Sequence, residues 1–213
     1  MSVRDELYRS VVELEEDKVY NLLRQLLESK VDPREVIELL RKAVEVVGDK
    51  FNKKEYFLTE LVMAGEIFQQ SARILEPFLK EENVQEKTKG VVVVGTVKGD
   101  VHDIGKNIFV TLLKSAGFEV YDLGIDIPPQ DFVEKVKEKN ANVVGYSGLL
   151  TVALEAMKET TEALKSEGLR DKVKIIIGGL PTDEMWMKIA GADAFTDNAF
   201  EGVEIVKKWL EEG

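Results

Sequence analysis

The spacing of apolar positions changes once along the chain, and the change divides it in two. From residue 3 to about residue 80 apolar side chains recur at three- and four-residue steps: Leu7, Val11 and Leu14, then Val19, Leu22, Leu23, Leu26 and Leu27. That period belongs to amphipathic helices. Asp32-Pro33-Arg34-Glu35 is a helix start, with Asp as cap, Pro at the first helical position and Glu at the third. The helix it opens carries Val36, Ile37, Leu40, Val44 and Val47 and is expected to end near Gly48. A fourth helix is expected from about Glu55 to Leu79, with Phe57, Leu58, Leu61, Val62, Ile67, Phe68, Ile74 and Leu75 on it. Four helices with short connections predict a small antiparallel bundle.

A polar, aperiodic stretch, KEENVQEKTK, follows, and beyond it the period is lost in favour of continuous apolar runs. Gly90–Gly95 reads GVVVVG, the composition of a parallel strand buried on both faces. Comparable runs lie at 118–123, 142–147 and 173–177, with a weaker one at 192–196. Helical stretches separate and follow them at 104–116, 129–139, 151–167, 183–190 and 199–211. Strand–helix alternation repeated five times predicts an α/β fold, a doubly wound parallel five-stranded sheet of order 2-1-3-4-5. The expected organisation is a helical cap domain at 1–80, a linker at 81–89 and an α/β domain at 90–213.

Composition narrows the chemistry. The 213 residues contain no cysteine, which excludes disulfides, thiolate metal sites and a cysteine nucleophile. The net charge is −11 and both halves are acidic, −4 for residues 1–89 and −7 for 90–213, so neither offers the clustered basic side chains that nucleic acid requires. No apolar run approaches the length of a membrane span, and the opening Met1-Ser2-Val3-Arg4-Asp5-Glu6 has no signal-peptide core. A cytoplasmic location is expected.

Open parallel sheets bind ligands beyond the carboxyl ends of their strands, at the point where strand order reverses. The first strand's loop holds the one histidine of the chain, His102, in Gly99-Asp100-Val101-His102-Asp103-Ile104-Gly105. The third strand ends in Ser147-Gly148-Leu149 and the fourth in Gly178-Gly179. Order 2-1-3-4-5 brings these loops to one crevice. A phosphate-binding loop fails there on two counts: five residues rather than four separate Gly99 from Gly105, and Asn107 stands where Ser or Thr must hold magnesium. No G-x-G-x-x-G follows the first strand, and Gly145-Tyr146-Ser147 has no carboxylate to act as a phosphoacceptor. A lone loop imidazole flanked by carboxylates is, by contrast, a ready metal ligand.

Asp100-x-His102-x-x-Gly105, 41 residues, Ser147-x-Leu149, 28 residues and Gly178-Gly179 together resemble the signature of cobalamin-binding domains. Upstream, Gly48–Leu79, with Tyr56-Phe57-Leu58 and Leu75-Glu76-Pro77-Phe78, is similar to the helical cap preceding that domain in cobalamin-dependent methionine synthase. A cap plus a binding domain and nothing else resembles the stand-alone corrinoid proteins of anaerobic methyltransferase systems. The resemblance implies cobalamin bound base-off, with His102 as lower axial ligand to cobalt and Asp100 bonded to its other ring nitrogen. Val101, Asp103, Ile104, Gly105, Leu149, Thr151, Gly178 and Gly179 would line the cofactor, Ser147 would offer a hydroxyl to its nucleotide tail, and Phe51, Leu58 and Leu61 would shield its upper face. The cap would then move aside about the linker during methyl transfer. In methionine synthase a serine six residues after the Ser-x-Leu serine extends the His–Asp relay, whereas Ala153 stands at that place here.

The function so implied is that of a methyl carrier, a shuttle subunit with negligible catalysis by itself. Co(I) accepts a methyl group from a substrate-specific methyltransferase, and methyl-Co(III) passes it to a second methyltransferase serving tetrahydrofolate or another acceptor. A reductive activase is a further expected partner, and no nucleic acid or membrane is expected. Methylamines, methanol, betaine and methoxylated aromatics are the candidate methyl donors. A cobalamin-binding sensor and the cobalamin subunit of a mutase are the alternatives. The acidic bundle with no basic recognition helix opposes the first, and the cap opposes the second.

Overall fold

A computed structural model of the chain describes residues 2–81 and 88–211. It divides into two compact units, Met1–Lys87 and Thr88–Gly213. Residues 82–87 of the expected linker lie outside the described residues.

The first unit contains α1 (Val3–Val12), α2 (Glu16–Glu28), α3 (Pro33–Asn52) and α4 (Leu58–Glu81). Ser2 and Asp5 cap α1 reciprocally, and the Asp32 carboxylate accepts the Arg34 N–H ahead of Pro33. Leu7, Val11, Val19, Leu23, Leu40, Val47, Leu61 and Leu75 are fully buried, so the three- and four-residue spacing does mark the packed stripe of each helix. Two boundaries differ from expectation. The third helix runs through Gly48, which is buried, and stops only at Asn52, where Lys54 takes the left-handed conformation that reverses the chain. Packing along a 20-residue helix outweighs the roughly 1 kcal/mol that an internal glycine costs. The fourth helix begins at Leu58 rather than Glu55, because the Phe57 N–H is taken by the Glu60 carboxylate at 2.9 Å, leaving the Phe57 ring exposed ahead of it.

The second unit alternates β1 (Val91–Thr96), α5 (Ile104–Ser115), β2 (Glu119–Asp122), α6 (Pro129–Lys139), β3 (Val143–Ser147), α7 (Thr151–Ser166), β4 (Lys174–Gly178), α8 (Glu184–Ala190), β5 (Ala194–Thr196) and α9 (Ala199–Glu211). All pairings are parallel, in the order β2-β1-β3-β4-β5. Val92, Val93 and Val94 on β1 and Ile175, Ile176 and Ile177 on β4 are buried on both faces, as the continuous apolar runs require. Burial of one such side chain is worth about 1.5–3 kcal/mol, which accounts for the sheet rather than its loops carrying this unit's stability. The register sets Thr96, Ser147 and Gly178 side by side at the carboxyl edge of the three central strands. The loops beyond that edge are therefore neighbours.

Candidate functional site

His102 is held in place by a short chain of local constraints. After β1 the Asp100 N–H donates to the Val97 carbonyl at 3.1 Å, closing a turn at whose third position Gly99 sits with φ +83°, a conformation glycine adopts without strain. The buried Thr96 hydroxyl donates to the His102 carbonyl at 2.9 Å, fixing the far side of the loop to the end of the strand. Asp100, wholly covered at 0% exposure, then turns back beneath the imidazole. Its Oδ1 accepts the His102 N–H at 2.9 Å and lies 2.7 Å from His102 Nδ1.

The other oxygen of the same carboxylate reaches the neighbouring loop. Asp100 Oδ2 accepts the main-chain N–H groups of Leu149 at 2.6 Å and Leu150 at 2.9 Å, at the amino end of α7. A helix start is favourable ground for a negative charge. Burial by itself would raise this carboxyl; the N–H bonds from His102, Leu150 and Leu149, together with the imidazole, outweigh it and hold the group down to about 2. An ionised carboxylate only accepts, so Nδ1 carries a hydrogen, and in the neutral ring the lone pair is on Nε2. The imidazole side chain is 49% exposed, and Nε2 has no bonding partner among the described residues. The arrangement is a preoriented nitrogen donor.

Beyond Asp100, where Ala153 offers no hydroxyl, the carboxylate is bonded by main chain. Ala153 is fully buried and sits against Gly148, and the amides of Leu149 and Leu150 both donate to Asp100 Oδ2. Gly179, with φ +142°, brings β4's loop so close to β3's that a Cβ there would lie 1.9 Å from the Gly148 carbonyl oxygen. Gly105 faces open space and Gly178 is half-buried. Ser147 and Leu149 are half-buried on the shared edge, and Thr151 is exposed at the first turn of α7. Asp103 accepts from the Asn107 side chain at 3.1 Å and precedes α5. In the helical unit Leu61 is bundle core, Phe51 is half-buried and Leu58 is exposed.

Two residues that sequence reasoning passed over also shape the loop. Asp126, in the left-handed conformation between β2 and α6, accepts the Gly99 N–H at 2.8 Å and donates its own N–H to the Asp100 carbonyl at 3.0 Å. Asp and Asn tolerate that conformation, but nothing in the local sequence distinguishes Asp126 from an ordinary turn aspartate. Lys106, buried on α5, places Nζ 2.7 Å from Asn107 Oδ1 and 2.5–2.6 Å from both oxygens of Asp122. Its charge is committed to the sheet, so it is not offered to a phosphate.

The donor set fits a particular kind of ligand. No group of three His, Cys, Asp or Glu side chains able to hold a metal ion occurs among the described residues. A single imidazole suits a metal that brings its other ligands with it in a macrocycle. At the same edge of the sheet the βα segments carry Val101, Ile104, Ile125, Leu150, Leu180 and, on α8, Met185, all large apolar side chains 42–78% exposed. Exposed apolar side chains of this sort suit a broad, partly apolar body, and the glycine contact of Gly148 with Gly179 draws the loops after β3 and β4 together. No helix among the described residues is long and apolar enough to cross a membrane.

Comparison with known proteins agrees. Residues 90–204 match the family model of the B12 binding domain, and residues 3–76 match a second B12 binding domain model. Dimethylamine corrinoid protein 1 of Methanosarcina mazei is 40% identical over 206 residues, 96% of this chain and 94% of its own. A cobalamin-binding protein from Desulfitobacterium hafniense DCB-2, known as a crystal structure, is 41% identical with a TM-score of 0.77 and 98% coverage of both chains. The methanol:cobalamin methyltransferase complex MtaBC from Methanosarcina barkeri contains a chain that is 25% identical with a TM-score of 0.88, covering 99% of this chain and 80% of that one. A preoriented imidazole, exposed apolar side chains at the same edge and matches across both units have one reading: the chain belongs to the cobalamin-binding corrinoid proteins of methyltransferase systems.

Proposed function

We propose that this corrinoid protein is a methyl shuttle in which cobalamin is held base-off, with His102 Nε2 as the lower axial ligand to cobalt. The observation that carries the reading is the pairing of His102 Nδ1 with the buried, ionised Asp100, which in the neutral ring leaves the lone pair on Nε2, the exposed side of the imidazole. When bound, the cobalt supplies the centre that takes a methyl group from a substrate-specific methyltransferase and yields it to a second methyltransferase, serving tetrahydrofolate or another acceptor. The protein's own residues orient and insulate that centre. Asp100 fixes the imidazole tautomer and strengthens its donation. Val101, Asp103, Ile104, Gly105, Leu149, Thr151 and Gly178 line the cofactor's lower side, Gly179 admits its tail beside the main chain, and Ser147 bonds the tail through its hydroxyl.

In the same reading residues 1–80 are the cap, residues 81–89 join it to the cofactor domain at 90–213, and Phe51 and Leu58 shield the cofactor's upper face. Leu61, read from the pattern as a third shielding residue, is buried in the bundle core. The relatives named for dimethylamine support a methylated amine as donor, with the choice of donor belonging to the partner methyltransferase. A reductive activase completes the system, and no reaction is expected of the isolated protein. The deciding test is anaerobic reconstitution of the purified protein with cobalamin. One cobalt per chain is expected, and the Co(II) paramagnetic resonance spectrum should show hyperfine splitting from one protein nitrogen that changes on labelling histidine with ¹⁵N. His102→Ala should retain the corrinoid and lose that splitting. Unchanged splitting in the variant, or no uptake by the parent protein, overturns the proposal.

A further inference from the structure

Five residues other than glycine take a positive φ among the described residues: Leu14, Lys30, Lys54, Asp126 and Asn140. Leu14, Lys30 and Lys54 each stand one place beyond the C-cap of α1, α2 or α3, and Asn140 is itself the C-cap of α6. A left-handed residue is an ordinary way to end a helix. Asp126, at φ +55°, ends none: it lies between β2 and α6, beyond the carboxyl edge of the sheet. A backbone held in that region away from a helix end persists only where its surroundings over-determine it.

Those surroundings are specific. Thr96, fully buried at the end of β1, commits both main-chain groups to this segment: its N–H donates to the Gly124 carbonyl at 2.9 Å, and its carbonyl accepts the Ile127 N–H at 3.0 Å. Between these fixed points Asp126 sends its own N–H to the Asp100 carbonyl and its carboxylate to the Gly99 N–H, at 3.0 and 2.8 Å. That N–H belongs to the central peptide of the turn that the Asp100 N–H closes on Val97. Such turns have two common forms that differ by a flip of the central peptide, with φ at the third position about −90° in one and about +80° in the other. Glycine is free to take either, and Gly99 stands at +83°. Asp100 follows directly, so a free peptide here would loosen the backbone that carries the carboxylate beneath His102. With β1 between β2 and β3, the ligand loop is gripped from both neighbours: by Leu149 and Leu150 after β3, and by Asp126 after β2.

We propose that Asp126 is a positioning residue for the axial ligand. Its carboxylate locks the Val97–Asp100 turn in one of its two forms, and through Asp100 it sets how firmly His102 Nε2 is presented to cobalt. The inference rests on the corrinoid reading and deepens it, adding to His102 and Asp100 a third residue that comes from the opposite side of the loop to α7.

The test reads a potential and an exchange rate rather than methyl transfer. Asp126→Gly removes the carboxylate while leaving the left-handed backbone unstrained, and Asp126→Asn loses the charge but keeps an oxygen for the Gly99 N–H. Asn142→Ala removes the side-chain oxygen that accepts the Val91 N–H at 2.8 Å, at the amino edge of the sheet, and controls for a general loss of stability. Each protein is reconstituted anaerobically with cobalamin, and its Co(II)/Co(I) midpoint is measured by spectroelectrochemical titration. An axial nitrogen stabilises Co(II), whereas Co(I) sheds its lower ligand, so weaker presentation of His102 raises the midpoint. One hydrogen bond is worth about tenfold in such an equilibrium, and tenfold is about 59 mV for one electron. Asp126→Gly should rise by up to that amount, with Asp126→Asn and Asn142→Ala close to the parent. In the apoproteins the Gly99 amide should exchange its hydrogen about tenfold faster in Asp126→Gly than in the parent or in Asp126→Asn. Asp126→Ala, read in the same way, stands in if the glycine variant does not fold. A midpoint or a Gly99 exchange rate unchanged by loss of the carboxylate, or an equal shift in Asp126→Asn or Asn142→Ala, overturns the inference while leaving the corrinoid reading intact. A parent protein that takes up no cobalamin overturns both.

Discussion

Replacement of Asp100 by Asn changes two atoms and should do damage in two measurable ways. The carboxylate accepts four N–H groups, two from His102 and one each from Leu149 and Leu150. An amide offers a single oxygen. With that oxygen towards Leu149 and Leu150, the NH₂ confronts the His102 main-chain N–H, and Nδ1 must become an acceptor. With it towards His102, the NH₂ confronts the two main-chain donors of Leu149 and Leu150. Either arrangement leaves at least one donor facing a donor, which is worth about 2–4 kcal/mol. The depressed carboxyl gives a second estimate: about 2 against an ordinary 3.8 corresponds to about 2 kcal/mol of native-state preference for the ionised form. Both tryptophans, Trp186 and Trp209, lie in the α/β unit, so urea unfolding followed by tryptophan fluorescence reports on that unit alone. Asp100→Asn should lower its stability by about 2–4 kcal/mol at pH 7. The carboxylate's contribution is present above the unfolded value of 3.8 and is lost as pH falls through about 2, so the gap between parent and variant should narrow below pH 4. The chain has one histidine, and its ¹⁵N correlation spectrum therefore reads the tautomer directly. The parent should show Nδ1–H, with Nε2–H populated in the variant. A parent histidine already protonated at Nε2, or a variant within about 0.5 kcal/mol of the parent, would refute the argument that Asp100 orients the ligand.

Much of this was legible in sequence because the physics that fixes it is local or periodic. Runs such as Val91–Val94 and Ile175–Ile177 can bury both faces only inside a parallel sheet, and the loops at 99–105, 147–149 and 178–179 then fall at one edge by topology. What remained hidden depends on contacts between segments distant in sequence. The partners of the second Asp100 oxygen are main-chain groups 49 and 50 residues away, and a main-chain N–H has no side-chain letter to announce it. Asp126 was missed for the same reason, since its value to the loop lies in a left-handed backbone and a bond to Gly99. Gly48 reads as a helix end by propensity, yet packing along α3 carries the helix past it. Leu61 and Leu58 look alike in the pattern, and only the fold separates the core residue from the exposed one.

Asp126→Ala should destabilise the α/β unit by about 2 kcal/mol, from a lost hydrogen bond and an L-residue forced into the left-handed region, whereas Asp126→Asn should lie within about 0.5 kcal/mol of the parent; urea unfolding decides both. Rates of methyl transfer between the holoprotein and its methyltransferases should fall as salt is raised, because a chain of net charge −11 draws basic partner surfaces by long-range attraction; stopped-flow traces insensitive to ionic strength would exclude such steering. Gly179→Ala makes the sharpest demand on the backbone. The added Cβ would lie 1.9 Å from the Gly148 carbonyl oxygen at a φ of +142°, and the contacting atom is main chain that no rotamer change can move. The loops after β3 and β4 must then separate, straining the 3.0 Å bond from the Gly148 N–H to the Gly178 carbonyl. The expected loss of stability is about 3 kcal/mol or more, in the range of strained backbone combined with overpacking. Since β3 and β4 remain paired below that point, the variant should keep its far-ultraviolet circular dichroism at low temperature. Its corrinoid, if the tail enters beside these glycines, should be lost during gel filtration. A Gly179→Ala protein that unfolds with the parent and keeps its corrinoid would mean that the glycine contact matters neither to this fold nor to its cofactor.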